Sequence, residues 1–254
     1  MSGPAAARWA QLQSGRGIPA EILARAPRSP WQHDPRDFAA PPVPADTPSR
    51  RAALALLGDG GTVLDVGCGG GDASLALAGA ATSITATDLQ PDMLGVFAAD
   101  ATARGVAHRT VGGRWPDVAA TAGTADVVVC HLVLHNVVDL PPFLRALTEA
   151  AHRGVVVEML AEHPMAWLDG LWMRFHGLDR PPPATVDDAV AVLVELGITP
   201  EVTRWERETA PRQDAAWVAR RLCLPAERVG EVAAALAELP PRPRHAATLS
   251  WTAR

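Results

Sequence analysis

The middle of the chain alternates between two kinds of segment. Short runs rich in β-branched residues occur at Thr62–Val66, Ser83–Asp88, Asp126–His131 and Val155–Met159. They read as strands, because such side chains fit a pleated, buried surface. Between them Ala73–Ala78, Pro91–Arg104 and Pro141–His152 carry good helix formers. Apolar strands alternating with helices predict a parallel sheet covered on both faces.

The flanks read differently. Ala5–Gln13 predicts a short helix with Trp9 and Leu12 on one face, and Pro19–Arg25 predicts another. The stretch from Pro30-Trp31-Gln32-His33-Asp34-Pro35 through Phe38 to Pro41-Pro42-Val43-Pro44 predicts a rigid loop, since proline removes donors and fixes φ. Thr47-Pro48-Ser49 opens a helix that stops at Gly58. After Met159 comes a segment of large side chains: Met165, Trp167, Leu168, Leu171, Trp172, Met173 and Phe175. Thr185-Val186-Asp187-Asp188 predicts a capping box before the helix Ala189–Leu196. A strand over Ile198–Arg207, helices over Asp214–Leu222 and Ala226–Leu239, and a last strand over Ala246–Trp251 complete the chain.

Composition narrows the chemistry. All 23 basic residues are arginine and there is no tyrosine. A lysine Schiff base and a tyrosine general base are therefore excluded. The net charge of −5 argues against a nucleic-acid substrate. Arg50-Arg51 and Arg220-Arg221 read as solvated helix faces. Cys68, Cys130 and Cys223 are odd in number and widely spaced, which suits reduced thiols in a cytoplasmic protein. No signal peptide and no membrane-spanning run is expected.

The densest chemistry lies in Val63-Leu64-Asp65-Val66-Gly67-Cys68-Gly69-Gly70-Gly71-Asp72, which ends a strand and opens a helix. Glycines there permit a sharp turn and close approach to a ligand. Asp88 follows 21 positions after Gly67, at the end of the next strand, where a carboxylate can accept both ribose hydroxyls. These features alone suit a dinucleotide or another adenosyl ligand. The loop Gly67-x-Gly69-x-Gly71, with Asp65 before it, resembles motif I of the class I S-adenosylmethionine-dependent methyltransferases. Thr87-Asp88-Leu89-Gln90-Pro91-Asp92-Met93-Leu94 resembles the family's second motif, and Ala125–His131 its fourth strand. The resemblance covers roughly residues 50–254. The whole chain, including Ser29-Pro30-Trp31, also resembles methyltransferases of actinobacterial type.

That resemblance implies an α/β, Rossmann-like, seven-stranded and mostly parallel sheet with helices on both faces and an antiparallel last strand. It implies a helical cap over 1–46 and a methyltransferase domain over 47–254 with a lid insertion at about 162–184. The implied cofactor is S-adenosyl-L-methionine, and Asp65, Gly67, Cys68, Gly69, Gly71, Asp88, Leu89, Met93, Trp115 and Cys130 are its expected contacts. The family's acidic adenine contact falls on Gly113 here. Asp117, backbone groups or Trp115 stand as its replacements.

His131 and Glu158 end the fourth and fifth strands and are the candidate catalytic pair. An imidazole near pKa ~6.5 suits a base at neutral pH. His135 reads as structural, and His163 and His176 fall in the expected lid. Cys130, His131 and His135 do not make a convincing metal set. The acceptor is expected to be a small organic molecule methylated on oxygen or nitrogen, with the aromatic lid closing an apolar pocket. A non-catalytic S-adenosylmethionine-binding protein and an NAD(P)-dependent oxidoreductase are the alternatives. Nothing in the sequence fixes the oligomeric state.

Overall fold

A computed structural model of the chain describes residues 3–27, 29–30, 34–207, 214–240 and 244–253. The expected Trp31 lies outside the described residues. The N-terminal part contains α1 (Pro4–Ser14), α2 (Ala20–Leu23) and a 3-10 turn at Pro35–Phe38. Then follow α3 (Pro48–Leu57), β1 (Gly61–Val66), α4 (Asp72–Leu75), β2 (Ala81–Asp88), α5 (Pro91–Ala103) and β3 (His108–Gly112). Next come α6 (Ala119–Ala122), β4 (Ala125–His131), α7 (Leu140–Ala150) and β5 (Ala151–Leu160). The last part holds α8 (Asp169–His176), α9 (Val186–Glu195), β6 (Glu201–Arg207), α10 (Ala215–Arg221), α11 (Val229–Ala237) and β7 (Arg244–Thr252).

The seven strands form one sheet in the order β3-β2-β1-β4-β5-β7-β6. Strands β1 to β5 pair in parallel, while β7 runs antiparallel between β5 and β6. The order reverses between β1 and β4, and a cleft opens there at the carboxyl ends of the strands.

Side-chain parity explains both layers. Leu64, Val66, Val128, Cys130, Val155, Val157, Ala247 and Leu249 join one buried cluster with Leu144 and Leu147 of α7 and Val192 and Leu193 of α9. Val63, Val127, Val129 and Val156 point the other way, into a cluster with Leu57 of α3 and Phe97 of α5. Continuous apolar strands are thus covered on both sides, as their pattern requires.

Helix ends follow their capping residues. Thr47 accepts from the Arg50 N–H, and the Thr185–Asp188 capping box is complete in both directions. Helix α4 is shorter than expected, because the Leu77 and Ala78 amides bond to the carbonyls of Ser74 and Leu75, and these i→i−3 bonds tighten the last turn.

Two segments pack in ways the sequence pattern does not specify. The N-terminal cap is part of the main core: Trp9 is fully buried and its Nε1 donates to the Val137 carbonyl at 2.7 Å. The expected lid residues Leu168, Leu171 and Trp172 pack against Val218, Leu222 and Val232 of the C-terminal helices and against Ile22. None of residues 162–184 lines the cleft. The apolar side chains of α8 are thus buried against α10 and α11.

Candidate functional site

The cleft has a volume of about 1140 Å³. Its floor is the turn after β1. Gly67, Gly69 and Gly71 have φ of 72°, 52° and 93°, the left-handed region that glycine enters without steric penalty. A Cβ on Gly67 would lie 2.6 Å from Val133 Cγ2, and one on Gly71 would lie 2.6 Å from Phe97 Cδ2. The residue choice in this turn therefore follows from both backbone shape and space.

Asp88 is bound into the same turn. Its Oδ2 accepts from the Gly69 N–H at 2.9 Å and its Oδ1 from the Gln90 N–H at 2.9 Å. Each carboxylate oxygen keeps a further lone pair for a ligand donor. Asp65 sits beneath the turn, 1 % exposed. Its Oδ2 accepts from Ser74 Oγ at 2.6 Å, while its Oδ1 is buried without a partner among the described residues. Burial pushes its carboxyl up to about 7, against the opposing Ser74 hydrogen bond.

The expected donor contacts separate by position. Asp65, Gly67, Cys68, Gly69, Asp88, Leu89, Met93 and Trp115 all line the cleft. Gly71 closes the turn just behind it. Cys130 is fully buried on the opposite face of the sheet and does not reach the cleft, because its parity in β4 points it toward α7. Burial raises the thiols of both Cys68 and Cys130, so neither is a thiolate nucleophile at neutral pH. Of the adenine-contact alternatives, Gly113, Trp115 and Asp117 line the same wall, and Trp115 Nε1 donates to the Phe143 carbonyl.

A polar row crosses the other half of the cleft. Asp65, His131 and Glu158 line it from the carboxyl edge of β1, β4 and β5 and share the parity of the α3 face; Thr248, the register partner of Glu158 in β7, has the same parity but is buried against Ser49. His131 and Glu158 are register partners, with His131 Nδ1 3.9 Å from Glu158 Oε2. Glu158 is buried and its Oε1 accepts from Arg207 Nη1; Arg207 Nη2 also lies 3.9 Å from Asp72 Oδ2. Burial lowers the His131 pKa, with Glu158 and Asp72 opposing and Arg207 adding to the effect. The neutral imidazole is thus favoured, and its Nε2 is buried with no partner among the described residues. Leu132 next to it has φ of 61°, and its N–H donates to the Glu158 carbonyl at 2.7 Å. A leucine held there costs on the order of 1–3 kcal/mol, and such strain gathers at functional sites.

His135, His163 and His176 have structural partners. His135 Nε2 meets the Leu160 carbonyl at 3.2 Å, and its ring lies edge-on to His163 at 5.6 Å. His163 Nδ1 accepts from the Met165 N–H, and His176 Nε2 meets the Leu222 carbonyl. None of the three lines the cleft.

The sequence reading missed three features. Arg207 comes from β6 and reaches Glu158 across β7. Arg50, expected on a solvated face, lines the cleft, and Arg221 is buried over the Trp217 ring. The proline-rich segment is also more than a linker: Phe38, Ala39, Pro41, Ala45 and Thr47 wall the cleft, and Ala39 forms a bridge to Gly70. Only the Thr47 cap hinted that this segment would be anchored next to the glycine turn.

Residues 63–154 match a family model described as a methyltransferase domain. No curated protein matches the chain. Among solved structures, magnesium protoporphyrin IX methyltransferase from Synechocystis, with bound S-adenosylhomocysteine, is 18% identical, with 81% of this chain and 82% of that one covered and a TM-score of 0.53. A structure described by the conversion of a disulfide bond into a thioacetal group during echinomycin biosynthesis is 21% identical, covering 91% and 90%, with a TM-score of 0.56. The YcgJ protein from Bacillus subtilis is 16% identical, covering 81% and 98%, with a TM-score of 0.55. At these identities the likeness concerns the fold. No helix among the described residues is long and apolar enough to cross a membrane. Residues 63–154 are thus similar to a methyltransferase domain, and they lie within a seven-stranded sheet with one antiparallel strand.

Proposed function

We propose that the chain is an S-adenosylmethionine-dependent methyltransferase that transfers a methyl group to an oxygen or nitrogen of a small organic molecule, with His131 as proton acceptor and Glu158 as its partner. The observation that carries the reading is the half-buried imidazole of His131, favoured in its neutral form, with Glu158 beside it in the same cleft as the glycine turn.

S-Adenosylmethionine, when bound, supplies a methyl group already activated on a sulfonium. The residues of the turn fit it. Asp88 has the free lone pairs that ribose hydroxyls require. Asp65 Oδ1 is an orphaned acceptor suited to the donor's ammonium group. Trp115 and Met93 offer apolar walls for adenine. On the acceptor side the chain's work is positioning and proton removal. Holding the nucleophile in line contributes up to ~7–11 kcal/mol in favourable cases. His131 takes the proton that a hydroxyl or protonated amine must lose. Glu158 stabilises the imidazolium so formed, and Arg207 fixes Glu158.

The related structures add limited support for a small acceptor. One acts on magnesium protoporphyrin IX and another belongs to echinomycin biosynthesis. An acceptor from specialised metabolism fits the same pattern. A negative net charge and an acidic cleft disfavour nucleic acid as substrate.

Donor and acceptor roles separate by mutation. In calorimetry, Asp88→Ala should greatly weaken S-adenosylhomocysteine binding, while His131→Ala should leave it intact. In a methyl-acceptor screen, His131→Ala should slow turnover by about 10²–10⁴-fold. Unchanged turnover in His131→Ala would remove it as the base, and unchanged affinity in Asp88→Ala would remove the ribose assignment.

A further inference from the structure

The cleft has an unbalanced charge. Seven carboxylate side chains line it against three guanidinium groups, those of Arg50, Arg114 and Arg207. Several of these charges already have a place. Asp65 and Asp88 belong to the glycine turn, and Glu158 is held by Arg207. Arg114 is exposed, beyond β3 at the adenine wall. Arg50 Nε donates at 3.0 Å to the carbonyl of Ala76, the C-cap of α4. The start of α4 is where charge is left over.

Asp72 is the first residue of α4, directly after Gly71, and it lines the cleft. Its side chain is 58% exposed and accepts no hydrogen bond among the described residues. Its one ion-pair partner among them is Arg207, with Nη2 3.9 Å from Asp72 Oδ2, and the Nη1 of that guanidinium is already taken by Glu158. Two carboxylates thus share one cation, which leaves a negative charge beside His131. The field of Asp72 reaches both Asp65 and His131, so it stands between the donor end of the cleft and the proton acceptor. Both neighbours present unsatisfied atoms: Asp65 Oδ1 and His131 Nε2 are buried without a partner among the described residues.

Such surroundings discriminate between the two kinds of acceptor. A hydroxyl is methylated through a developing oxyanion, which carboxylates at close range disfavour, whereas they favour a cation. We infer that the acceptor is an amine entering as its ammonium, and that Asp72 holds it beside His131. This deepens the proposed reading of the site and rests on it. The ammonium gives one proton to the His131 imidazole. The freed nitrogen lone pair forms the N–C bond to the methyl group as the S–C bond breaks, with that electron pair left on sulfur. The methylated nitrogen is again cationic, so Asp72 faces a positive partner at both ends of the step.

The test uses the full chain, saturated with S-adenosylhomocysteine at pH 7, and calorimetry with two probes of like shape, 2-phenylethylamine and the neutral 2-phenylethanol. The amine should bind the wild type about tenfold or more tightly than the alcohol. Asp72→Asn should remove most of that preference and leave the affinity for S-adenosylhomocysteine unchanged, which also shows that the variant is folded. Asp139→Asn, which removes the same charge from an exposed residue elsewhere in the cleft, should keep the preference. Equal losses in the two variants would make the preference a property of the whole cleft and overturn the role of Asp72. An alcohol bound as tightly as the amine, or an amine that does not bind, would overturn the inference. In turnover with S-adenosylmethionine, tyramine offers an amine and a phenol in one molecule; methyl on nitrogen is expected, and methyl on the phenol oxygen would also overturn it. Wild-type protein that binds no S-adenosylhomocysteine would overturn the donor reading and this inference together, a result distinct from the others.

Discussion

At the scale of single residues, Asp65 carries the most direct consequence. Its carboxyl is raised to about 7 by burial, and one of its oxygens is an orphan. Near neutral pH it is therefore partly protonated. A donor ammonium group placed against it stabilises the carboxylate and lowers that value, so binding releases a proton. S-Adenosylhomocysteine titrated at pH 7 in two buffers of different ionisation enthalpy should report net proton release on binding. Asp65→Asn should abolish the difference between buffers; an equal difference in that variant would move the proton source elsewhere. Local spacing made Asp65, the three glycines and Asp88 legible, because their roles depend on one strand, one turn and the next strand. Arg50, Leu132 and Arg207 were not legible. Their roles depend on a contact across the fold or on an unusual φ, and neither leaves a periodic trace in the sequence.

At the scale of elements, the segment from Asp34 to Thr47 acts as a strap across the glycine turn. The carbonyls of Ala40 and Pro41 both accept from Nη2 of Arg104, at the C-terminal end of α5. The fit over the turn is close: a Cβ on Gly70 would come 2.1 Å from the Phe38 carbonyl oxygen. Gly70→Ala should therefore lift the strap at a cost of about 1–3 kcal/mol. Hydrogen exchange should accelerate at residues 38–40 while the amides of β1 and β4 stay protected. Unaltered exchange at 38–40 would show that the bridge from Ala39 to Gly70 does not hold the strap. Proline content identified a rigid segment correctly, but rigidity carries no information on what the segment lies against. The aromatic run of α8 presents the same problem in reverse. Its side chains announced a buried face, and only packing assigned that face to α10 and α11.

At the scale of the whole molecule, two histidines tie acid stability to the junction between sheet and helices. Burial lowers His135 to about 4 and His163 to about 3, and neither has an acidic partner that restores it. Their folded values lie below the ordinary ~6.5, so the unfolded chain binds more protons between those limits. Their contribution is complete above pH 6.5 and is lost as pH falls toward 4. Asp65 works in the opposite sense, since its raised value makes the fold less stable as pH rises from about 4 to about 7. Two histidines outweigh one carboxylate, so the urea midpoint should fall between pH 7 and 5, and less so in His135→Gln. A flat midpoint over that range would mean that both rings gain compensating partners in solution.

The sequence by itself determined the fold class, because strand and helix periods are local properties and their alternation leaves few topologies. It also determined the glycine turn and Asp88, whose geometry is contained in one strand–turn–helix unit and its neighbour. Only the tertiary structure decided which polar side chains share the cleft. Strand parity turned His131 inward and Cys130 away. The insertion of β7 between β5 and β6 brought Arg207 to Glu158. Docking of the N-terminal helices and strap, through contacts such as that of Trp9 with Val137, set the roof of the site and left Arg50 facing inward. Each of these outcomes depends on residues far apart in the chain meeting in a packed interior, where space and unpaired charge, rather than spacing, settle the arrangement.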